Sequence, residues 1–311
     1  MRGICYLRTD KITKFMEDFS LDGLHFSGTV WRPPHEALSV LLQVTVGCSH
    51  HACKFCALYE GQRFRLSPMA EIESDLRQIA RWQPRARRLF LVGANPFVLS
   101  YNRLARLADR IRDYLPKVET IGMFARVDDI ARKSDAELRE LRARGFTGLS
   151  IGTETGDDPT LLRMNKRTTA AEIERQSRRL DEAGIEYYFT YMTGLAGAGN
   201  GERAARATAA LFNRTRPWLI GVVSLTLFAG TELMREAQAG QFAEATEAER
   251  LDELRLFLEL LEIPVVIAAH TVSNAVPLFG RLPEDRARLL RELDAARGVD
   301  FSDFRRQIRH L

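Results

Sequence analysis

The chain has 311 residues, of which 45% are hydrophobic and 28% charged, with a formal net charge of +4. That make-up fits a soluble globular protein long enough for one large α/β unit or two smaller ones. No apolar run is long enough to span a bilayer, and four cysteines are too few for a secreted disulfide scaffold. Basic and acidic residues interleave, as in Glu137-Leu138-Arg139-Glu140-Leu141-Arg142, which describes a solvated helix face. No basic block with interleaved aromatics stands out, so nucleic acid is not the expected partner.

The N-terminus, Met1 to Arg8, lacks the apolar core of a signal peptide, and the expected location is the cytosol, where thiols stay reduced. Residues 1 to about 25 give an irregular or partly helical lead-in. Leu24 to Trp31 alternates weakly until Arg32-Pro33-Pro34 breaks it, predicting an extended arm packed on the main body. An apolar run, Leu41 to Val46, then forms a first buried strand that Gly47 ends.

On the loop leaving that strand lies Cys48-Ser49-His50-His51-Ala52-Cys53-Lys54-Phe55-Cys56, which holds three of the four cysteines. Thiolates at this spacing can converge on one face of a soft metal centre. Two centres fit the residue types equally: a zinc ion with His50 or His51 as fourth ligand, or an iron–sulfur cluster on three cysteines.

Downstream, strands and helices alternate. Ser67-Pro68 opens a helix that runs to Trp82, with Ser67 as N-cap and Pro68 at the first helical position. Further strands are expected at Arg88–Val92, Val118–Phe124, Gly148–Thr153, Tyr187–Met192 and Val222–Leu227. Helices are expected over 101–115, 135–144 and 169–183, ending near Pro116, Gly145 and Gly184. Such continuous apolar strands belong to a parallel sheet sheathed by helices, and right-handed crossovers curl it. The predicted fold is therefore α/β: a partial (βα)6 TIM-like barrel of parallel strands with a helical C-terminal extension. Residues 1–40 form the arm, 41–235 the core barrel and 236–311 the extension; Pro264 to His270 is a further candidate strand and 283–309 is helical.

Three cysteines ending in C-x-aromatic-C, directly after the first strand of an α/β chain, resemble the signature of the radical S-adenosylmethionine (radical SAM) enzymes. Those enzymes usually space the cysteines C-x3-C-x2-C, whereas this chain has C-x4-C-x2-C. Val46-Gly47-Cys48-Ser49-His50, with Tyr59 beyond, is similar to a subgroup near the coproporphyrinogen-oxidase and methylthiotransferase branch. The resemblance implies a [4Fe–4S] cluster on Cys48, Cys53 and Cys56, with the fourth iron chelated by SAM. It implies that Gly93-Ala94-Asn95 replaces a Gly-Gly-Glu-like turn that holds the SAM amino group. It also implies that Glu154 and Thr190 face the ribose, that Lys166, rather than Arg167, faces the SAM carboxylate, and that Phe55 shields the cluster. Arg126 faces the anionic cofactor or pairs with Asp128 or Asp129. Reductive cleavage of SAM would give a radical that abstracts hydrogen from a small-molecule or macromolecular substrate. The electron would come from an external one-electron donor of flavodoxin or ferredoxin type.

Cys5 is the one cysteine outside the motif, so no second cysteine-ligated cluster is expected. The stretch His270-Thr271-Val272-Ser273-Asn274 borders the substrate cavity or caps a strand end. Two other classes remain: a zinc-stabilised binding protein, and a cluster protein that only carries electrons.

Overall fold

The computed structural model describes residues 23–308. The lead-in expected before residue 23 and Cys5 lie outside that range. The sheet order is β1 (Val40–Gln43), β4 (Arg88–Val92), β5 (Thr120–Ala125), β6 (Phe146–Glu154), β7 (Tyr187–Thr193), β8 (Leu219–Ser224), β9 (Val265–Ala269) and β10 (Leu278–Leu282). Strands from β1 to β9 pair in parallel, and β10 closes the series antiparallel to β9. The sheet thus has seven parallel strands among its eight, one more than the six expected. Pro264 to His270 supplies the seventh, and Leu278–Leu282 is a strand that the sequence reading passed over.

Helices α1 (Met69–Trp82), α2 (Tyr101–Tyr114), α3 (Val127–Ala131), α4 (Asp135–Ala143), α5 (Asp158–Arg163), α6 (Ala170–Ala183) and α7 (Gly201–Phe212) follow successive strands. Beyond β8 come α8 (Glu232–Gln238), α9 (Glu247–Leu260), α10 (Arg286–Ala295) and α11 (Ser302–Ile308). The predicted helix over 283–309 is therefore two helices. Ser134, Thr169 and Thr246 each accept from the backbone N–H three residues on, fixing where α4, α6 and α9 begin. Ser67 does not do this for α1: Pro68 takes the N-cap position and no side chain caps the helix.

Alternate strand residues divide the protein. Val40, Leu42, Leu89, Leu91, Ile121 and Met123 face outward into the core shared with the helices. Each such aliphatic side chain, fully buried, contributes about 1.5–3 kcal/mol to folding. Leu41, Phe90 and Val92 face inward, and Phe26 and Val30 pack on them together with Phe124. Gln43 fixes the arm, accepting from Ser27 N at 2.7 Å and donating to Ser27 O at 3.0 Å. A single 3₁₀ turn, Pro34–Glu36, then closes the N-terminal ends of the strands. There the fully buried Glu36 accepts from Ser39 Oγ and from both Nη2 and Nε of Arg88, the latter at 2.8 Å.

The first strand departs from expectation. It leaves the main sheet after Gln43, and β2 (Thr45–Val46) pairs instead with β3 (Arg65–Leu66), antiparallel. The last parallel strand before β9 is also displaced, ending at Ser224 rather than Leu227. Leu225 and Leu227 are apolar because they pack in a separate cluster with Met164, Leu195, Leu233 and Phe242, against Phe55, not because they are strand.

Candidate functional site

The cysteine loop leaves β2 through Gly47, at φ 69°, where a Cβ would lie 2.8 Å from Gln62 O. From there to Cys56 it is pinned by other strand-end loops. Lys54 N donates to Met164 O at 3.3 Å, and Leu233 N donates to Lys54 O at 2.9 Å. Asn165 Nδ2 donates to Ala52 O at 2.9 Å. The Lys54 ammonium pairs with Glu232 at 3.0 Å and with Glu236. Within the C-x4-C spacer His51 takes a left-handed conformation, φ 45°, and its N–H donates to Cys48 Sγ at 3.4 Å.

Three predicted residues converge beside this loop. Glu154 ends β6 in a left-handed conformation, φ 64°, which aims its carboxylate inward. Its Oε1 accepts from Lys166 Nζ at 3.1 Å and its Oε2 from Thr190 Oγ1 at 2.9 Å. The Lys166 ammonium lies 5.9 Å from the Phe55 ring centroid. Its burial would lower its pKa, but the neighbouring Glu154 and Cys53 charges outweigh this and hold it above the ordinary lysine range. Lys166 thus links the carboxylate to the thiol loop.

The other predicted residues have structural partners. Arg126 donates through Nε to Asp128 at 2.9 Å and through Nη2 to Lys166 O at 2.9 Å, so it braces the lysine's backbone. Asn95, expected at a ligand, is only 1% exposed and its amide is consumed within the protein. It accepts from Ser49 N at 3.2 Å and donates to Ser49 Oγ at 2.8 Å and Asp129 at 2.9 Å. What remains for a ligand is the backbone of the turn. Gly93, at φ 132°, has a physical reason of its own: a Cβ would run into Thr45 Oγ1 and lie 2.7 Å from Thr45 O. Ala94, half-buried, donates its N–H to Gly47 O at 3.3 Å, locking this turn to the start of the cysteine loop. His270 is exposed, 6.0 Å from the Phe279 ring, while Ser273 and Asn274 bind Ser224 and the β8 backbone.

Sequence reasoning named Asp129 only as a partner for Arg126; it is a buried carboxyl that orients Asn95 and accepts from Arg126 N at 3.0 Å. Burial pushes it up to about 6, against the pull of Asn95 and the Arg126 backbone. Sequence reasoning missed Glu253, whose carboxylate accepts from Tyr191 OH and Gly194 N, each at 2.8 Å. Burial pushes Glu253 up to about 7. An acidic residue amid apolar helix positions, as in Leu251-Asp252-Glu253-Leu254, was the available signal.

The model of the radical SAM superfamily matches residues 42–208 of this sequence. The chain belongs to the radical SAM superfamily. No curated protein matches the sequence. Among solved structures, the chain is similar to the radical SAM methyltransferase TsrM from Kitasatospora setae, with cobalamin and a [4Fe–4S] cluster bound. That match has TM-score 0.53 and 18% identity, over 65% of this chain and 37% of that one. Methylornithine synthase (PylB) gives TM-score 0.53 and 16% identity, over 82% and 68% of the two chains. Coproporphyrinogen III oxidase (HemN) from Escherichia coli gives 0.52 and 17%, over 71% and 51%. The chain thus spans from about a third to about two thirds of these proteins, and at such identities the likeness is one of fold.

The residues present fit the superfamily's cluster. Tyr59 OH is buried without a hydrogen-bond partner among the described residues, and it stands beside Cys48 and Cys56. A donor stranded there suits sulfur acceptors, thiolate or sulfide. Cys48 and Cys53 are half-buried and Cys56 is exposed, and all three thiols are free of disulfides and open to a centre carried on the loop. His50, which a zinc site could recruit, is already committed: its Nε2 lies 2.7 Å from Asn165 O. Among the described residues, no three of His, Cys, Asp and Glu are placed to hold one metal ion. Thiolates that each meet a different iron need no such convergence.

Proposed function

We propose that this protein is a radical SAM enzyme in which Cys48, Cys53 and Cys56 hold three irons of a [4Fe–4S] cluster. Bound together, the cluster and SAM supply reductive cleavage of a carbon–sulfur bond and a carbon radical able to abstract hydrogen from substrate. The chain's own residues bind and orient. Glu154 and Thr190 would receive the paired ribose hydroxyls, Lys166 the SAM carboxylate, and the backbone of Gly93, Ala94 and Asn95 the amino group. Arg126 holds the Lys166 backbone in place, and Phe55, packed on its apolar cluster, would cover one side of the bound cluster. A one-electron donor of flavodoxin or ferredoxin type would reach the cysteine loop from outside.

The observation that carries this reading is the Lys166 ammonium, set between the Glu154 carboxylate and the thiol loop. It joins the two halves of a cofactor site from residues more than a hundred positions apart in sequence. The test is anaerobic reconstitution with iron and sulfide. The expected result is four irons and four sulfides per chain, a paramagnetic signal on reduction that shifts when SAM is added, and release of 5′-deoxyadenosine. Loss of the signal in Cys48→Ala, Cys53→Ala and Cys56→Ala variants is expected too. A reconstituted cluster whose spectrum ignores SAM would remove the enzyme reading.

A further inference from the structure

The turn after β4 and the cysteine loop are joined more closely than neighbouring loops need to be. Ala94 N donates to Gly47 O at 3.3 Å. Asn95 Oδ1 accepts from Ser49 N at 3.2 Å, and Asn95 Nδ2 donates to Ser49 Oγ at 2.8 Å. Gly47 and Ser49 flank Cys48, so these bonds straddle the first thiol. The remaining Nδ2 hydrogen goes to Asp129 Oδ2 at 2.9 Å.

Asp129 determines which way round the Asn95 amide sits. An ionised carboxylate only accepts, so Nδ2 must face it, which leaves Oδ1 for the Ser49 N–H. Without the carboxylate the amide is free to turn over, which would set its NH2 against that N–H, donor to donor. The same Asp129 oxygen accepts from Arg126 N at 3.0 Å. Arg126 Nη2 donates to Lys166 O at 2.9 Å, and Lys166 Nζ donates to Glu154 at 3.1 Å. One carboxylate oxygen therefore ties the cysteine loop, through Asn95, to the segment that carries Lys166.

The start of α3, a helix of five residues, does not require this. A neutral hydroxyl is enough to begin a helix, as Ser134 and Thr169 do for α4 and α6. Asp129 is instead a carboxyl only 1% exposed, and its Oδ1 has no hydrogen-bond partner among the described residues. The neighbouring Lys133 ammonium donates to the backbone, to Phe97 O at 2.6 Å and to Asp129 O at 3.1 Å. A buried carboxylate met through one oxygen is costly, and helix capping alone does not account for it.

We propose that Asp129 is a positioning residue for the methionine end of SAM. Its Oδ2 sets the spacing between the Gly93-Ala94-Asn95 turn, which receives the amino group, and Lys166, which receives the carboxylate. This rests on the radical SAM reading and adds a residue that touches neither cofactor group. The ribose end stands on β6 and β7, which keep their own ladder.

The test is binding. Cluster-loaded full-length protein, with oxygen excluded, is titrated calorimetrically with SAM and with 5′-methylthioadenosine, which keeps the nucleoside and lacks the amino and carboxylate groups. Asp129→Ala should bind SAM about tenfold more weakly and methylthioadenosine as the parent does. Its iron content should equal the parent's, and the SAM-dependent shift of the paramagnetic signal should need correspondingly more SAM. Asp129→Asn should restore the parent's SAM affinity, because its carbonyl can accept from the same two donors. If Asp129→Ala does not fold, Asn95→Ala cuts the same link from the other side, keeps the backbone of the turn, and should give the same split. Equal losses for both ligands, undiminished SAM affinity, or an Asp129→Asn variant as weak as Asp129→Ala would each overturn the proposal. A parent cluster whose signal ignores SAM is a different failure, and it removes the radical reading itself.

Discussion

Replacing Lys166 by methionine should destabilise the protein more than removing both members of its ion pair. The side chains of Lys166 and Glu154 are 7% and 12% exposed and 3.1 Å apart. Loss of one partner leaves Glu154 with the single hydroxyl of Thr190 and no counter-charge. Breaking a buried pair in this way costs about 3–5 kcal/mol, whereas replacing both partners by neutral groups is often close to neutral. Lys166→Met is therefore expected to lose about 3 kcal/mol, and Glu154→Gln with Lys166→Met to recover at least about 1 kcal/mol of that. The raised lysine pKa sets the pH window: the stabilisation is complete below the unfolded value and is lost only as pH rises through the folded one. Measurements at pH 7 and 8 should then agree. Urea unfolding under nitrogen, followed by circular dichroism, gives the energies. A single variant as stable as the parent, or a double variant worse than the single, would refute the idea that these two charges depend on one another.

Asp129→Asn should flatten the acid side of the stability profile. A carboxyl raised from 3.8 to about 6 by burial holds its proton more tightly when folded, so the parent should lose stability as pH rises between those values. The asparagine carbonyl can still accept from Asn95 and Arg126 N, so the variant should match or exceed the parent at pH 7 by thermal melting. Glu253→Gln tests the same logic nearer neutrality, since its carboxyl is raised to about 7. Its pH-dependent loss should disappear from the melting curve. Gly93→Ala meets Thr45 and a backbone φ that L residues avoid, which costs about 1–3 kcal/mol in strain alone. A variant that melts within a degree of the parent would mean the turn relaxes freely. His51→Gly removes a left-handed strain of about 1 kcal/mol and should leave the iron content unchanged.

Local chemistry made the parallel strands and the cysteine loop legible. Val40–Gln43, Arg88–Val92 and Tyr187–Thr193 are apolar on both faces, as only buried parallel strands are. Helix α7 was within reach, because Ala204, Ala205, Thr208, Ala209 and Phe212 are buried at helical spacing, but small residues make that stripe faint. The last strand was not: in Leu278–Leu282 a short edge alternation is interrupted by an arginine and a glycine. At the site, Glu154 could be named because it ends a strand, whereas Thr190 lies in the middle of β7 and Lys166 beyond α5, and both were named from the resemblance. Asn95 was named for a ligand and Asp129 only as a partner for Arg126, and neither structural role was read. Their roles are set by hydrogen bonds between loops 34 and 46 residues apart, and no local pattern encodes such partners.

The two-rung ladder of Thr45–Val46 with Arg65–Leu66 has a consequence for how this loop can vary. It clasps the segment at its neck, so the register of Val40–Gln43 on Arg88–Val92 is set outside the loop. A change of length between the first two thiols therefore has no need to shift that register.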